Sequence, residues 1–323
     1  MLGSGLNDFW IVCEYAGLAS WLAGAFYFIG NLGVFSPMPL RESPTRHSAL
    51  SLPVVGAVIV LFLMVQTAVV AAGVGIGIVP RSMLTGETSA AAQPETATAT
   101  APAVSEAQMT VIGNGILAVT VGLTIIPALL ILPRLFRERW AGWGLHPRQL
   151  PKGVLVGLGG LCIVFPVLQA FGAGLEAFYR HFLEHGISEH ATFEAMQQHI
   201  SVGGRVLLCF GAIVVAPIYE EVFFRGIMQT ALIQHGWGLY VPQWARRGAV
   251  PAAFRPSALQ RWVAIGVTSL AFAWMHQWDQ APIIFVLALG LGYVYERTGN
   301  LWAPIVLHMA FNSTEILTYF SGS

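Results

Sequence analysis

The stretch that decides the fold is Pro217-Ile218-Tyr219-Glu220-Glu221-Val222-Phe223-Phe224-Arg225-Gly226. It lies inside an apolar run that starts near Val206 and continues past Ile227. Two carboxylates and a guanidinium therefore sit where the surroundings are hydrocarbon rather than water. An ionised side chain at the centre of a spanning helix costs about 3 kcal/mol on insertion scales. A helix that only had to span would not keep three of them, so the stretch reads as a functional site inside a membrane protein.

Composition agrees. Of 323 residues, 55% are hydrophobic and 10% are charged, against about 25% charged in soluble domains. A net charge of zero offers nothing to attract nucleic acid. The three cysteines, Cys13, Cys162 and Cys209, lie far apart in or beside apolar runs. They form neither a disulfide framework nor a zinc motif. The first apolar run lacks a basic leader and a small-residue cleavage pattern, so it reads as a mature helix.

Outward from the central stretch, eight segments approach the ~20 apolar residues that a crossing needs. Their limits are about 9–35, 50–79, 111–132, 153–175, 206–233, 262–278, 281–295 and 301–320. The expected architecture is all-α, a polytopic membrane bundle of about eight transmembrane helices. Residues 1–152 form an N-terminal helical part and 153–323 a core. Residues 80–108, rich in Ala, Thr, Pro and Glu, cannot bury enough apolar surface to offset ordering and read as a disordered loop. Residues 176–201 mix acids and histidines with Phe and Leu, as an interfacial helix does. Pro217 predicts a kink just before Glu220. Glycines at 153 and 157 have the spacing that lets helix backbones approach closely in lipid. Trp237, Trp244, Trp262, Trp278 and Trp302 fall at span ends, as an aromatic belt does.

With both termini outside, the inner connections hold twelve of the sixteen Lys and Arg residues. The outer ones hold Arg81, Arg180 and Arg205, and the sixteenth is Arg225 itself. This asymmetry obeys the positive-inside rule and fits a multi-pass protein of the plasma (inner) membrane of a prokaryote.

Residues four apart share a helix face, so Glu221 is placed to pair with Arg225. Glu220, turned about 100° away, is left to face a cavity, where a carboxylate suits general-base work. A buried Glu–Arg brace with no chemistry is the other reading. Phe272-Ala273-Trp274-Met275-His276 ends the sixth span, and His276 alone reads first as an interfacial or hydrogen-bonded packed ring. His308 and Asn312 share a face of the last span. Two such donors can hold a developing oxyanion or form a polar clamp between helices. His181 and His185 have metal-like spacing, but they and His190 and His199 read first as the polar face of the interfacial segment.

Taken in order, Glu-Glu-x-x-x-Arg, Phe-x-x-x-His and His-x-x-x-Asn resemble the CAAX-protease and bacteriocin-processing (CPBP, or Abi) family of intramembrane proteases, with its Rce-type prenyl-protein endopeptidases. The resemblance covers roughly 206–320, and all three motifs are complete. It implies an intramembrane endopeptidase acting on a membrane-associated protein or peptide in the bilayer. In that mechanism Glu220 and His276 activate a water, while His308 and Asn312 stabilise the oxyanion. Glu221, Arg225 and Phe272 support them structurally. Family members have also been described as metalloproteases. A zinc ion would then be held by Glu220, His276 and His308, a plausible three-ligand set. The absence of His-Glu-x-x-His leans against zinc, so no cofactor is expected.

Overall fold

A computed structural model describes residues 50–80, 105–136, 138–188, 191–198, 200–235 and 256–322. Among the described residues all regular elements are helical. In chain order they are α1 (Leu52–Gly75), α2 (Glu106–Ile131), the short α3 (Arg139–Trp143), α4 (Leu150–Phe182), α5 (Ala191–Gln197), α6, α7 (Ala258–Trp274), α8 (Ala281–Thr298) and α9 (Trp302–Gly322). Helix α6 is built from five successive stretches: Val202–Phe210, Gly211–Val215, Ala216–Glu221, Val222–Gln229 and Thr230–His235.

Among the described residues, four helical segments are long and apolar enough to cross a membrane: Leu52–Gly75, Ala107–Leu135, Arg139–Phe182 and Val202–Ile233. The expected first span, 9–35, lies outside the described residues, as does most of the 80–108 loop. Helices α7, α8 and α9 fall short of that standard of length and apolarity, so eight crossings are not confirmed among the described residues. The physical reason is visible in their composition. They carry Arg261, Glu296, His308 and Asn312, polar groups that face protein rather than lipid. The fourth helix also runs further than the sequence suggests, to Phe182. Only the short α5 remains of the expected interfacial segment.

The chain divides into two compact units. The first comprises the described residues within 50–55, 132–188 and 220–314, and the second those within 56–131, 189–219 and 315–323. In the second unit, Ala107, Ala195, Met196 and Leu208 form a core. Phe193 stacks on Tyr319 there with ring centroids 4.8 Å apart.

In the first unit, Leu168, Leu287, Leu291, Leu307 and Phe311 join α4, α8 and α9. Helices α4 and α9 run parallel from one end. A methyl group at Gly157 would meet the Ala303 carbonyl oxygen at 2.8 Å, and one at Gly153 would strike Trp302. The close approach expected from this glycine pair is thus realised. At the shared start of these helices, the Leu301 N–H donates to the Gly144 carbonyl at 2.9 Å. The Asn300 side chain donates to the Gln149 carbonyl at 2.8 Å. Gly144 has φ 84°, a left-handed conformation that glycine adopts without a Cβ penalty. Helix α7 opens with a capping box, in which Ser257 and Gln260 satisfy each other's backbone N–H groups.

Helix α6 departs from the ordinary α register where Pro217 forecasts irregularity. Gly211–Val215 and Val222–Gln229 are π-helical, and these widened turns flank the acidic pair. Pro217 has no N–H to donate back along the helix, and the register widens just ahead of it. The Ala216 N–H reaches Gly211, five residues back. Such π turns inside α-helices often mark functional sites.

Candidate active site

Side chains donate to two carbonyls of the π stretch after Glu221. The Thr230 hydroxyl donates to the Arg225 carbonyl at 3.0 Å. Trp143, buried and arriving from α3, donates its indole N–H to the Gly226 carbonyl at 3.1 Å. Its own carbonyl accepts from the Tyr295 hydroxyl at 3.2 Å. The backbone that presents Glu220, Glu221 and Arg225 is therefore pinned from two other segments of the first unit.

Glu221 is wholly buried and Arg225 is 1% exposed. Arg225 Nη1 donates to Glu221 Oε1 at 2.8 Å, the pairing that their four-residue spacing predicts. Nη2 donates to the Ala288 carbonyl on α8 at 3.1 Å. The guanidinium lies over the Phe272 ring, 4.7 Å from its centroid, a cation–π arrangement. A buried ion pair repays its desolvation only when hydrogen bonds satisfy the remaining groups, and Ala288 and Phe272 contribute to that.

Glu221 Oε1 also meets His308 Nδ1 at 3.0 Å. That oxygen already accepts from Arg225, so Nδ1 is the donor, an assignment made from the hydrogen-bond network. His308 Nε2 then faces Glu220, whose Oε2 is 3.7 Å away, beyond direct hydrogen bonding. The Glu220 side chain is 24% exposed, whereas that of Glu221 is fully covered. The two adjacent acids thus occupy different environments, one partly open and one closed inside protein.

Phe272 links these groups to the second motif. Its ring lies 5.8 Å from the His308 ring and 4.8 Å from that of His276, and it is edge-on to Phe224 at 5.0 Å. His276 Nδ1 donates to the Phe272 carbonyl at 2.9 Å. A carbonyl only accepts, so Nδ1 carries the proton and Nε2 of the neutral ring is the basic atom. His276 is half-buried and occupies the turn just past the end of α7. Asn312 follows His308 by one turn of α9 and is half-buried. Direct contacts therefore gather Glu220, Glu221, Arg225, Phe272 and His308, while His276 joins them through Phe272.

Among the described residues no group of three His, Cys, Asp or Glu side chains is gathered to hold a metal ion. Of the zinc set Glu220, His276 and His308, Glu220 and His308 lie 3.7 Å apart, while His276 meets the cluster through the Phe272 ring. His181 and His185 do not share a helical face either. His181 packs edge-on to Phe182, and His185 lies beyond the helix end with its ring against Trp278.

Sequence reasoning missed two parts of this region. One is Trp143, whose connector carries only a cluster of basic residues as a signal. The other is a latch beside His276. Ser188 N–H and Oγ–H both donate to Asp279 Oδ2, at 2.6 and 2.5 Å. Gln280 Nε2 returns a bond to the Ser188 carbonyl at 2.8 Å. Asp279 is 3% exposed. Burial alone would raise its carboxyl, but the Ser188 and Gln280 donors overcome this and hold it below the usual carboxylate range.

Long apolar helices around a buried carboxylate, guanidinium and imidazole network define an integral membrane protein with a polar site. Residues 202–314 match the family model described as type II CAAX prenyl endopeptidase Rce1-like. The matched stretch contains all seven of the motif residues discussed above and supports a CAAX-type intramembrane protease. No curated protein and no solved structure matches the chain.

Proposed function

We propose that the first unit hydrolyses a peptide bond of a membrane-associated protein or peptide, in the plasma membrane of a prokaryote. The observation that carries this reading is the partly open Glu220 carboxylate facing His308 Nε2 across 3.7 Å, with the His308 ring anchored through Nδ1 on buried Glu221. A gap of that size suits a bridging water. Glu220, assisted by His276 Nε2, takes a proton from water as the water oxygen bonds to the scissile carbonyl carbon. The oxyanion formed is held by the Asn312 amide and by His308 in its doubly protonated form, with Nδ1–H on Glu221 and Nε2–H toward the oxyanion. The C–N bond then breaks, the proton passes to the leaving amine, and the products are a carboxylic acid and an amine. Arg225 keeps Glu221 ionised and in place, and Glu221 in turn orients His308.

The test is Glu220→Gln in purified protein, assayed on a library of membrane-anchored peptides. General-base removal is expected to lower the cleavage rate by about 10²- to 10⁴-fold, with the unfolding temperature unchanged. Cleavage at the wild-type rate would overturn the mechanism. Loss of cleavage on exhaustive chelation would instead move the reading to a metalloprotease.

A further inference from the structure

Helix α4 acts as a ruler for the first unit. It belongs to a segment apolar enough to cross a membrane, and its 33 residues extend about 50 Å. At its start lie Arg148 and Lys152. The clamps from Gly144 to Leu301 and from Gln149 to Asn300 put the start of α9 and the end of α8 at that same level. The ion pair of Arg261 with Glu296, at 3.5 Å, brings the start of α7 there too. The connecting stretches 132–152 and 234–261, with Arg297, hold ten of the chain's sixteen Lys and Arg residues.

At the far end of α4 the chain enters segment 183–188. Ser188 there is bonded to Asp279 and Gln280 in the turn that follows His276. Segments 183–188 and 275–280 contain no Lys or Arg. The partly exposed His276 thus sits at the end of the unit opposite the basic one. Arg225 donates to Ala288 and Gln229 to Gly292, at 3.1 and 3.0 Å. These bonds show that α6 runs from the acidic pair toward the basic end.

Connections rich in Lys and Arg stay on the cytoplasmic side. We infer that the site opens on the opposite, non-cytoplasmic side, and that its substrate is a membrane-associated peptide whose scissile bond is presented from that side. The substrate part rests on the hydrolase reading above, whereas the placement of the site does not.

The test uses protein in which Cys13, Cys162 and Cys209 are replaced by serine and single cysteines are introduced at exposed positions. Gln277→Cys and Trp278→Cys report the His276 end, and Arg148→Cys and Lys152→Cys report the basic end. Intact cells are treated with a membrane-impermeant sulfonated maleimide. The first pair is expected to label at least about tenfold more than the second, which labels fully only after lysis. Any other pattern overturns the inference. Labelling needs no catalysis, so the same pattern in a Glu220→Gln background separates failure of this placement from failure of the hydrolase reading. In vesicles, a soluble impermeant peptide substrate is expected to be cut when the vesicles are right-side-out. Inverted vesicles are expected to cut it only after detergent, and cleavage by intact inverted vesicles overturns the inference.

Discussion

At the scale of single residues, the two adjacent glutamates have separate tasks because their surroundings differ. Glu221 Oε1 accepts from both Arg225 and His308, so one oxygen joins the guanidinium to the imidazole. Arg225→Ala leaves that carboxylate buried with its main counter-charge gone, a loss of about 3–5 kcal/mol. Thermal unfolding in detergent is expected to fall sharply, with much of the loss recovered in the Glu221→Gln, Arg225→Ala double variant. Equal instability of the single and double variants would mean that Arg225 acts through packing alone. Asp279 supports a pH prediction. Its folded-state carboxyl is held below its unfolded value of about 3.9, so its contribution to stability is fully present above that pH. The contribution is lost as pH falls through the lower folded value. Wild-type protein is therefore expected to lose unfolding temperature below about pH 4 more steeply than Asp279→Asn, and matched slopes would remove the latch from the account.

At the scale of elements, α6 shows what a linear reading can and cannot deliver. Pro217 forecasts a kink and the spacing of Glu221 and Arg225 a buried pair; the pair is present, whereas what is seen around Pro217 is a set of widened π turns. The form of the irregularity was not legible. A π register depends on which groups satisfy its carbonyls, and the indole donor Trp143 lies 83 residues from Gly226 in the chain. The partners of Arg225 and His308 were hidden for the same reason, since a backbone carbonyl at Ala288 has no signature in sequence. Span counting is left unconfirmed on α7, α8 and α9 because helices that line a polar site are less apolar than helices that face lipid. Trp143→Phe keeps the ring stacked near Phe136, now 5.6 Å away, but removes the donor to Gly226. It is expected to cost about 1–3 kcal/mol by thermal unfolding, against a much smaller loss for Trp140→Phe, whose ring is 37% exposed. Similar losses would show that the bond to Gly226 contributes little.

At the scale of the whole molecule, the buried polar cluster lies in one unit and is assembled from α6, α7 and α9, with α8 filling the centre. The connector before α4 and the strap after it brace opposite ends, Trp143 against the π turn and Ser188 against the His276 turn. Residues outside the matched stretch 202–314 thus supply both braces. The π turns carry a further consequence. Gln229 and Thr230 reach their partners only because each widened turn holds one more residue than an α turn. Deleting a residue between 222 and 229 would let the backbone relax to the common repeat and swing everything downstream by about 100°. The segment is accordingly intolerant of changes in length, and natural variation there should take the form of substitutions rather than gaps.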